Sequence, residues 1–276
     1  MDRILAREEK ERKRYFWAGF LICFTGCDRI QKKEGEAMYE NIKMIAMDLD
    51  GTLSQHKTLI PAQNRETLVR LARKYKLLMV GAGGMMRIFN QLGQLPIDII
   101  GNYGMQYGVY NAETKTIDVV RDDCVPCDRE KITEKANAIR EKYGYTQFQG
   151  EAMEFHASGC VTFPLLGTKA TLEEKLAFDP DRAKRRAFYE EVVGLFDEFC
   201  VFVGGTSSFD MAPKPYNKYF ALDKYCREHG LSHDQVVFIG DDYGLGGNDE
   251  PVYKSDFHYI TIDNYLDFPE RVKELL

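Results

Sequence analysis

The run Met44-Ile45-Ala46-Met47 is apolar at every position and stops on Asp48. A strand without in–out alternation has to be covered on both faces, as strands are in a parallel sheet flanked by helices. The same texture returns at residues 77–80, 97–100, 236–239 and 259–262. Helical patterns lie between these runs. One opens at Pro61 and spaces Leu68, Leu71, Ala72 and Tyr75 along a single face. A short helix is expected over 86–95 and another over 218–228. Strands alternating with helices predict an α/β fold, a Rossmann-like parallel sheet core.

The middle of the chain has a different rhythm. A helix is expected near 130–143, strands near 152–155 and 160–163, and strands again at 200–203 and 207–211. Between them a longer helix would present Phe188, Val192, Leu195, Phe196 and Phe199 on one face. This is an inserted α+β layer, distinct from the parallel sheet. The expected organisation is an N-terminal extension over 1–40, a first part of the core over 41–120, the α+β insert over 121–210 and the rest of the core over 211–276.

The extension pairs a charge-dense start with a short apolar run from Tyr15 to Phe24 and then Cys27. It resembles a lipoprotein export signal; a helical extension, or Met38 as the true start, are the other readings. Seven scattered cysteines in 276 residues do not make a disulfide scaffold, which favours a reducing compartment and a cytoplasmic location over export through residues 1–27. A net charge of −6 argues against a dedicated nucleic-acid partner. No apolar stretch approaches the ~20 residues that a membrane span requires.

Chemistry gathers where strands end. Asp48-Leu49-Asp50-Gly51-Thr52-Leu53 leaves the first strand, and ligands in open α/β sheets bind outside the carboxyl ends of strands. Two carboxylates two residues apart can divide roles as nucleophile and proton shuttle. Gly240-Asp241-Asp242 ends a neighbouring strand, followed by Gly246-Gly247-Asn248-Asp249, and carboxylates clustered this way suit Mg²⁺. Lys218, heading a helix after Pro213-Lys214-Pro215, would offset the carboxylates and orient a phosphate. The turn Gly81-Ala82-Gly83-Gly84 offers backbone N–H groups to that phosphate.

Together these motifs resemble the haloacid dehalogenase superfamily of phosphohydrolases, and the insert resembles its second type of α+β cap. The segment Gly204-Gly205-Thr206-Ser207-Ser208-Phe209-Asp210-Met211-Ala212-Pro213 and the Gly-Asp…Gly-Gly-Asn-Asp ending are most similar to eukaryotic-type phosphomannomutases. The resemblance spans roughly 41–276. It implies Mg²⁺ and an aspartyl-phosphate mechanism. Asp48 attacks phosphorus, and Asp50 protonates the leaving oxygen and then activates water. Asp48, Asp241 and the main-chain carbonyl of Asp50 hold the metal, Gly83, Gly84 and Lys218 bind phosphate, and Asp242, Asn248 and Asp249 support the site. It also implies a homodimer through the cap.

The departures from that family shape the functional expectation. Its cap arginines, which hold a second phosphate, are replaced by Gln149 before Gly150, His156 after Glu154-Phe155, Thr168-Lys169 after Gly167, and Val203 before Gly204. Losing several such contacts, each worth ~1.5–3 kcal/mol, weakens capture of a bisphosphate. The glycine turn also lacks the family's hydroxyl residue. The expectation is therefore a Mg²⁺-dependent phosphatase of a small phosphorylated metabolite, a sugar phosphate first. The alternatives are a phosphomannomutase-type mutase using Lys169, His156 or Arg140 in the cap, and an inactive binding module on the same fold. Cys124 and Cys127 read as two linker thiols rather than a zinc or redox pair. Tyr103, Tyr107 and Tyr110 are expected to pack the core–cap interface, and the run Arg182–Arg186 to form a solvated face.

Overall fold

The computed structural model describes residues 39–276, so the signal-like segment and Met38 lie outside the described residues. The first strand, β1 (Met44–Met47), is the hub of a seven-stranded sheet. It pairs in parallel with β2 (Lys76–Val80) on one side and β10 (Val236–Gly240) on the other. Beyond these lie β3 (Asp98–Gly101) and β11 (His258–Thr261), also parallel. The register sets Met47 opposite Met79 and Ile239. Asp48, Gly81 and Asp241 therefore leave the sheet near one another at its carboxyl edge.

Every residue of β1 is buried, as the apolar run requires. Helix α1 (Ala62–Leu71) buries Leu68 and Leu71, but it stops there, and Ala72 is exposed. Helix α2 (Met85–Gln91) follows the glycine turn and is shorter than the sequence suggests. The core sheet carries two further strands that its apolar runs did not announce. A hairpin of β4 (Gln106–Asn111) and β5 (Thr116–Asp122) adds antiparallel to β3. These strands are half exposed, so they lack the continuous apolar signature of a buried strand.

The chain then builds the inserted α+β cap. Helix α3 (Arg129–Tyr143) is capped by the Asp128 side chain and ends on Gly144 in the left-handed region. Four antiparallel strands follow in the order β6 (Glu154–Phe155), β7 (Val161–Pro164), β9 (Ser208–Pro213), β8 (Phe199–Phe202). Strand β9 runs through Pro213, past the boundary at 210. Helix α4 (Leu172–Phe178) was not expected; it opens with a capping box between Thr171 and Glu174 and buries none of its side chains. The single long helix expected through Phe199 is instead two short ones, α5 (Ala183–Arg186) and α6 (Tyr189–Leu195), and Phe199 begins β8. Phe188, Val192, Phe196 and Phe199 still reach one cap core with Phe163 and Phe209. The burial was legible, but a helix face and a chain of short elements share that apolar spacing.

Core and cap meet over Tyr103, Met105, Cys160, Phe202 and Ala212. Tyr103 stacks on Phe202 with centroids 4.8 Å apart, worth ~0.5–1.5 kcal/mol beyond its buried area. Tyr107 and Tyr110 do not join this interface: Tyr107 packs edge-on to Tyr225, and Tyr110 lies against Phe89. After the cap, α7 (Lys218–Glu228) returns to the core with Asn217 as its N-cap. No helix among the described residues is long and apolar enough to cross a membrane.

The run Arg182–Arg186 is not a solvated face. Arg185 is fully buried; its Nε meets Asp179 at 2.7 Å and its Nη1 donates to the carbonyls of Gly204 (2.5 Å) and Ser208 (2.8 Å). Arg182 pairs with Asp242 of the core, and Arg186 donates to the Leu245 carbonyl at 3.0 Å. The partners of this run lie from six residues away (Asp179) to 60 residues away (Asp242), a spread that no local charge pattern encodes.

Candidate active site

Asp48 is buried at the end of β1, its amide bonded to the Ile239 carbonyl at 3.0 Å. The chain then turns through Gly51, whose φ of +95° suits glycine. A Cβ there would overlap the Asp241 carboxylate, so Gly51 also lets β10's loop close onto the turn. Thr52 fastens the approach, its hydroxyl donating to Asp241 Oδ1 at 2.8 Å.

Asp48, Asp241 and Asp249 bring one carboxylate oxygen each within 4.8 Å of one another. Lys218 is fully buried beside them, with Nζ 3.0 Å from Asp48 Oδ1, 2.7 Å from Asp249 Oδ1 and 2.5 Å from Asn248 Oδ1. These three contacts match the three donors of an ammonium. Asp249 also accepts the Asp242 amide at 3.0 Å. One lysine cannot balance three clustered carboxylates. Burial pushes the Asp48 carboxyl well above the usual range, against the pull of Lys218. Burial and the neighbouring Asp249 raise Asp241 to about 7. Burial alone would lower Lys218, but Asp249 and Asp48 hold it above its ordinary value. Such an excess of negative oxygen is a donor set for a hard divalent cation.

Asp50 is placed differently. Its Oδ2 meets Arg87 Nη1 at 2.8 Å, and its Oδ1 accepts from Gln91 Nε2 and the Lys57 amide, each at 2.7 Å. Burial would raise its pKa, but Arg87, Gln91 and Lys57 overcome this and hold Asp50 ionised below its ordinary range. Its side chain is thus committed to the Arg87 side of the site. Gly83 and Gly84 line the same cavity, and Gly84 caps α2; the next amide, of Met85, is already taken by Gln106 Oε1 at 2.9 Å.

These groups open into a cavity of 580 Å³ between core and cap, within the range of small-metabolite sites. From the cap, His156 reaches its wall and exchanges a hydrogen bond with Thr162, which donates to half-buried Asp210. Burial raises the Asp210 carboxyl. Lys169 is exposed and does not line the cavity, whereas Lys175 and Arg182 do. Arg140 is committed to cap carbonyls of Tyr145, Ala152, Pro164 and Leu165. Sequence reasoning missed Arg87, Gln91, Lys175 and Arg182. Arg87 and Gln91 share a helix face four residues apart, the one signal that could have linked them. Cys124 and Cys127 are free thiols, with Cys124 Sγ against the Ala157 carbonyl.

A strand-end carboxylate cluster with a buried lysine under a cap has known counterparts. A family model described as eukaryotic phosphomannomutase matches residues 64–275. The chain belongs to that family. Among its relatives, a phosphomannomutase of Encephalitozoon cuniculi is 26% identical over 247 residues, covering 83% of this chain and 91% of the relative. A phosphomannomutase of Saccharomyces cerevisiae is 23% identical, covering 84% and 92%. An IMP-nucleotidase structure from Plasmodium falciparum shares the fold with a TM-score of 0.62 and 15% identity, covering 87% of this chain and 71% of that one. This phosphomannomutase-family chain is an enzyme of the haloacid dehalogenase superfamily, of the sugar-phosphate mutase and phosphatase type.

The raised pKa of Asp241 gives a stability prediction. Its folded value lies above its unfolded value near 3.8, so ionised Asp241 costs stability. That cost grows as pH rises from the unfolded value towards about 7 and is constant above it. In chelator, Asp241→Asn should gain Tm over wild type by an amount that increases across this window. With a divalent cation present the order should reverse. Thermal melts of both proteins with and without Mg²⁺ check this; a pH-independent difference would contradict it.

Proposed function

We propose that this enzyme is a Mg²⁺-dependent phosphatase of a small sugar phosphate. Asp48 attacks phosphorus to form an aspartyl-phosphate. Asp50 would have to take up a proton before transfer, against the pull of Arg87, to hand it to the leaving oxygen; the carboxylate so restored then takes a proton from the attacking water. The contacts of Asp50 with Arg87, Gln91 and the Lys57 amide favour the carboxylate, the form that accepts the proton from water. Asp48, Asp241 and the main-chain carbonyl of Asp50 would hold Mg²⁺, with Asp249 beside them, and the ion would supply charge for the phosphoryl oxygens. Lys218 keeps the Asp48 carboxylate placed and partly neutralised.

The observation that carries this reading is the pair Asp48 and half-buried Asp241 at the wall of a capped cavity, with fully buried Asp249 and Lys218 packed against them. Hydrolysis stands first because the cap wall offers little free positive charge. Arg182 is engaged by Asp242, and Glu154 and Asp210 face the same space. The mutase reading draws on the names of the relatives and on Lys175, a lysine at the wall from the cap. The cap would move as a hinged body to admit substrate and exclude water. A homodimer through the cap, which follows the family likeness, and a cytoplasmic location, which follows the scattered cysteines, are further parts of this proposal.

The deciding assay measures phosphate release from hexose, pentose and polyol phosphates and a purine nucleoside monophosphate, with Mg²⁺. A parallel assay follows interconversion of the two mannose monophosphates with a hexose bisphosphate activator. Release without interconversion is the expected result. Interconversion with little release would overturn hydrolysis in favour of the mutase.

A further inference from the structure

The glycine turn at the cavity floor has no hydroxyl side chain, yet it is not bare of polar groups. The guanidinium of Arg87, one turn into α2, lies directly on Gly83. A Cβ added at Gly83 would overlap Arg87 Nη2, with Cζ and Nε close behind. The φ of Gly83 is not in the left-handed region, so the space, not the backbone, explains a glycine here. Arg87 Nη1 is held by Asp50 Oδ2 and by Gln91 Oε1, both at 2.8 Å. Gln91 in turn donates to Asp50 Oδ1 at 2.7 Å and Ser54 Oγ at 3.0 Å. The guanidinium is thus fixed by Nη1, while its Nη2 and Nε donors make no hydrogen bond among the described residues. The same turn passes close to the nucleophile: a Cβ on Gly81 would sit 3.8 Å from Asp48 Oδ1. Arg87 lines the cavity and its side chain is 35% exposed, so it is open to a ligand.

We propose that Gly83 and Arg87 form a matched pair in which the missing side chain makes room for a guanidinium that binds the transferring phosphate of the substrate. The assignment rests on the phosphoryl-transfer reading above and deepens it. A guanidinium offers paired donors to phosphate oxygens, a geometry that a single hydroxyl does not supply. Arg87 is then a phosphate ligand as well as the clamp on Asp50.

The pairing is tested by Arg87→Ala, Arg87→Lys, Gly83→Ala and the double variant Gly83→Ala/Arg87→Ala, each as the full chain with Mg²⁺. Two readouts are needed: steady-state phosphate release, and the rise in Tm produced by inorganic phosphate, which requires no turnover. Arg87→Ala should raise KM by at least ~10-fold and remove most of the phosphate-induced rise. Arg87→Lys keeps the charge and loses the fork, so it should fall between. Gly83→Ala displaces the guanidinium and should imitate Arg87→Ala. The double variant should be no worse than either single one, because both remove the same contact.

Losses that multiply in the double variant would overturn the pairing. A fall in kcat alone, with the phosphate-induced rise intact, would overturn the phosphate contact and leave Arg87 as a clamp on Asp50. A wild-type chain that binds phosphate but releases none from any substrate would refute the functional reading and leave this one standing. A wild-type chain whose Tm ignores phosphate would overturn this one.

Discussion

Asp48→Asn should lower phosphate release by at least ~10³-fold while the protein stays folded. The amide keeps the shape of the carboxylate but has no anionic oxygen to attack phosphorus. Its neighbours explain why the fold should survive. Asp48 sits against Asp241 and Asp249, and burial already pushes its carboxyl well above the usual range. Removing one negative charge from this group relieves repulsion, so in chelator the variant should melt no lower than wild type. Lys218 keeps Asp249 and Asn248 as partners after the change. Enzyme assays paired with thermal melts make the comparison. A variant that loses activity only because it unfolds would not support Asp48 as nucleophile, and one that retains turnover would refute it.

Arg185→Ala should cost ~3–5 kcal/mol, the usual consequence of breaking a buried ion pair by removing one partner. For a protein of this size that is a fall in Tm of ~6–20 °C. Arg185 is the buried cation between Asp179 and the carbonyls of Gly204 and Ser208, and thereby ties α5 to β9. Without it Asp179 is left buried and charged. Arg186→Ala, which removes an exposed hydrogen bond to the Leu245 carbonyl, should cost under ~0.5 kcal/mol. Burial would raise Asp179, but Arg185 and the amides of Lys184 and Arg185 hold it below its ordinary value. The pair therefore contributes fully at neutral pH, and its contribution is lost as pH falls through that depressed value. Melts that place both variants within ~2 °C of wild type would restore the reading of this run as a solvated face.

How much of this was legible in the sequence depends on the range of the physics involved. Strands β1, β2, β3 and β10 declare themselves because burial on both faces leaves an apolar run, while β11, half-buried at the edge of the sheet, is marked by its Tyr-Ile-Thr-Ile texture alone. The turn from Asp48 to Leu53 was equally plain, since glycine, threonine and two carboxylates sit within six residues. Lys218 was found from its place at a helix start, and it does meet Asp48. The hairpin of β4 and β5 was missed because its faces are mixed in polarity. Arg185 and Arg182 were misread for a different reason. Whether an arginine is buried depends on partners such as Asp179, Ser208 and Asp242, and only the fold brings these close. Arg87 was hidden in the same way, its role written in the empty side of Gly83 and in Asp50, 37 residues earlier.

The central claim is that phosphoryl transfer passes through Asp48. The most direct test is an acid quench of the enzyme during turnover of a sugar phosphate carrying a radiolabelled phosphoryl group, with Mg²⁺. The account predicts label retained on the wild-type chain, released by hydroxylamine as an acyl phosphate should be, mapped to the peptide holding Asp48, and absent from Asp48→Asn. Turnover with no label on the protein at any time of quenching, or equal label on the Asp48→Asn chain, would contradict it.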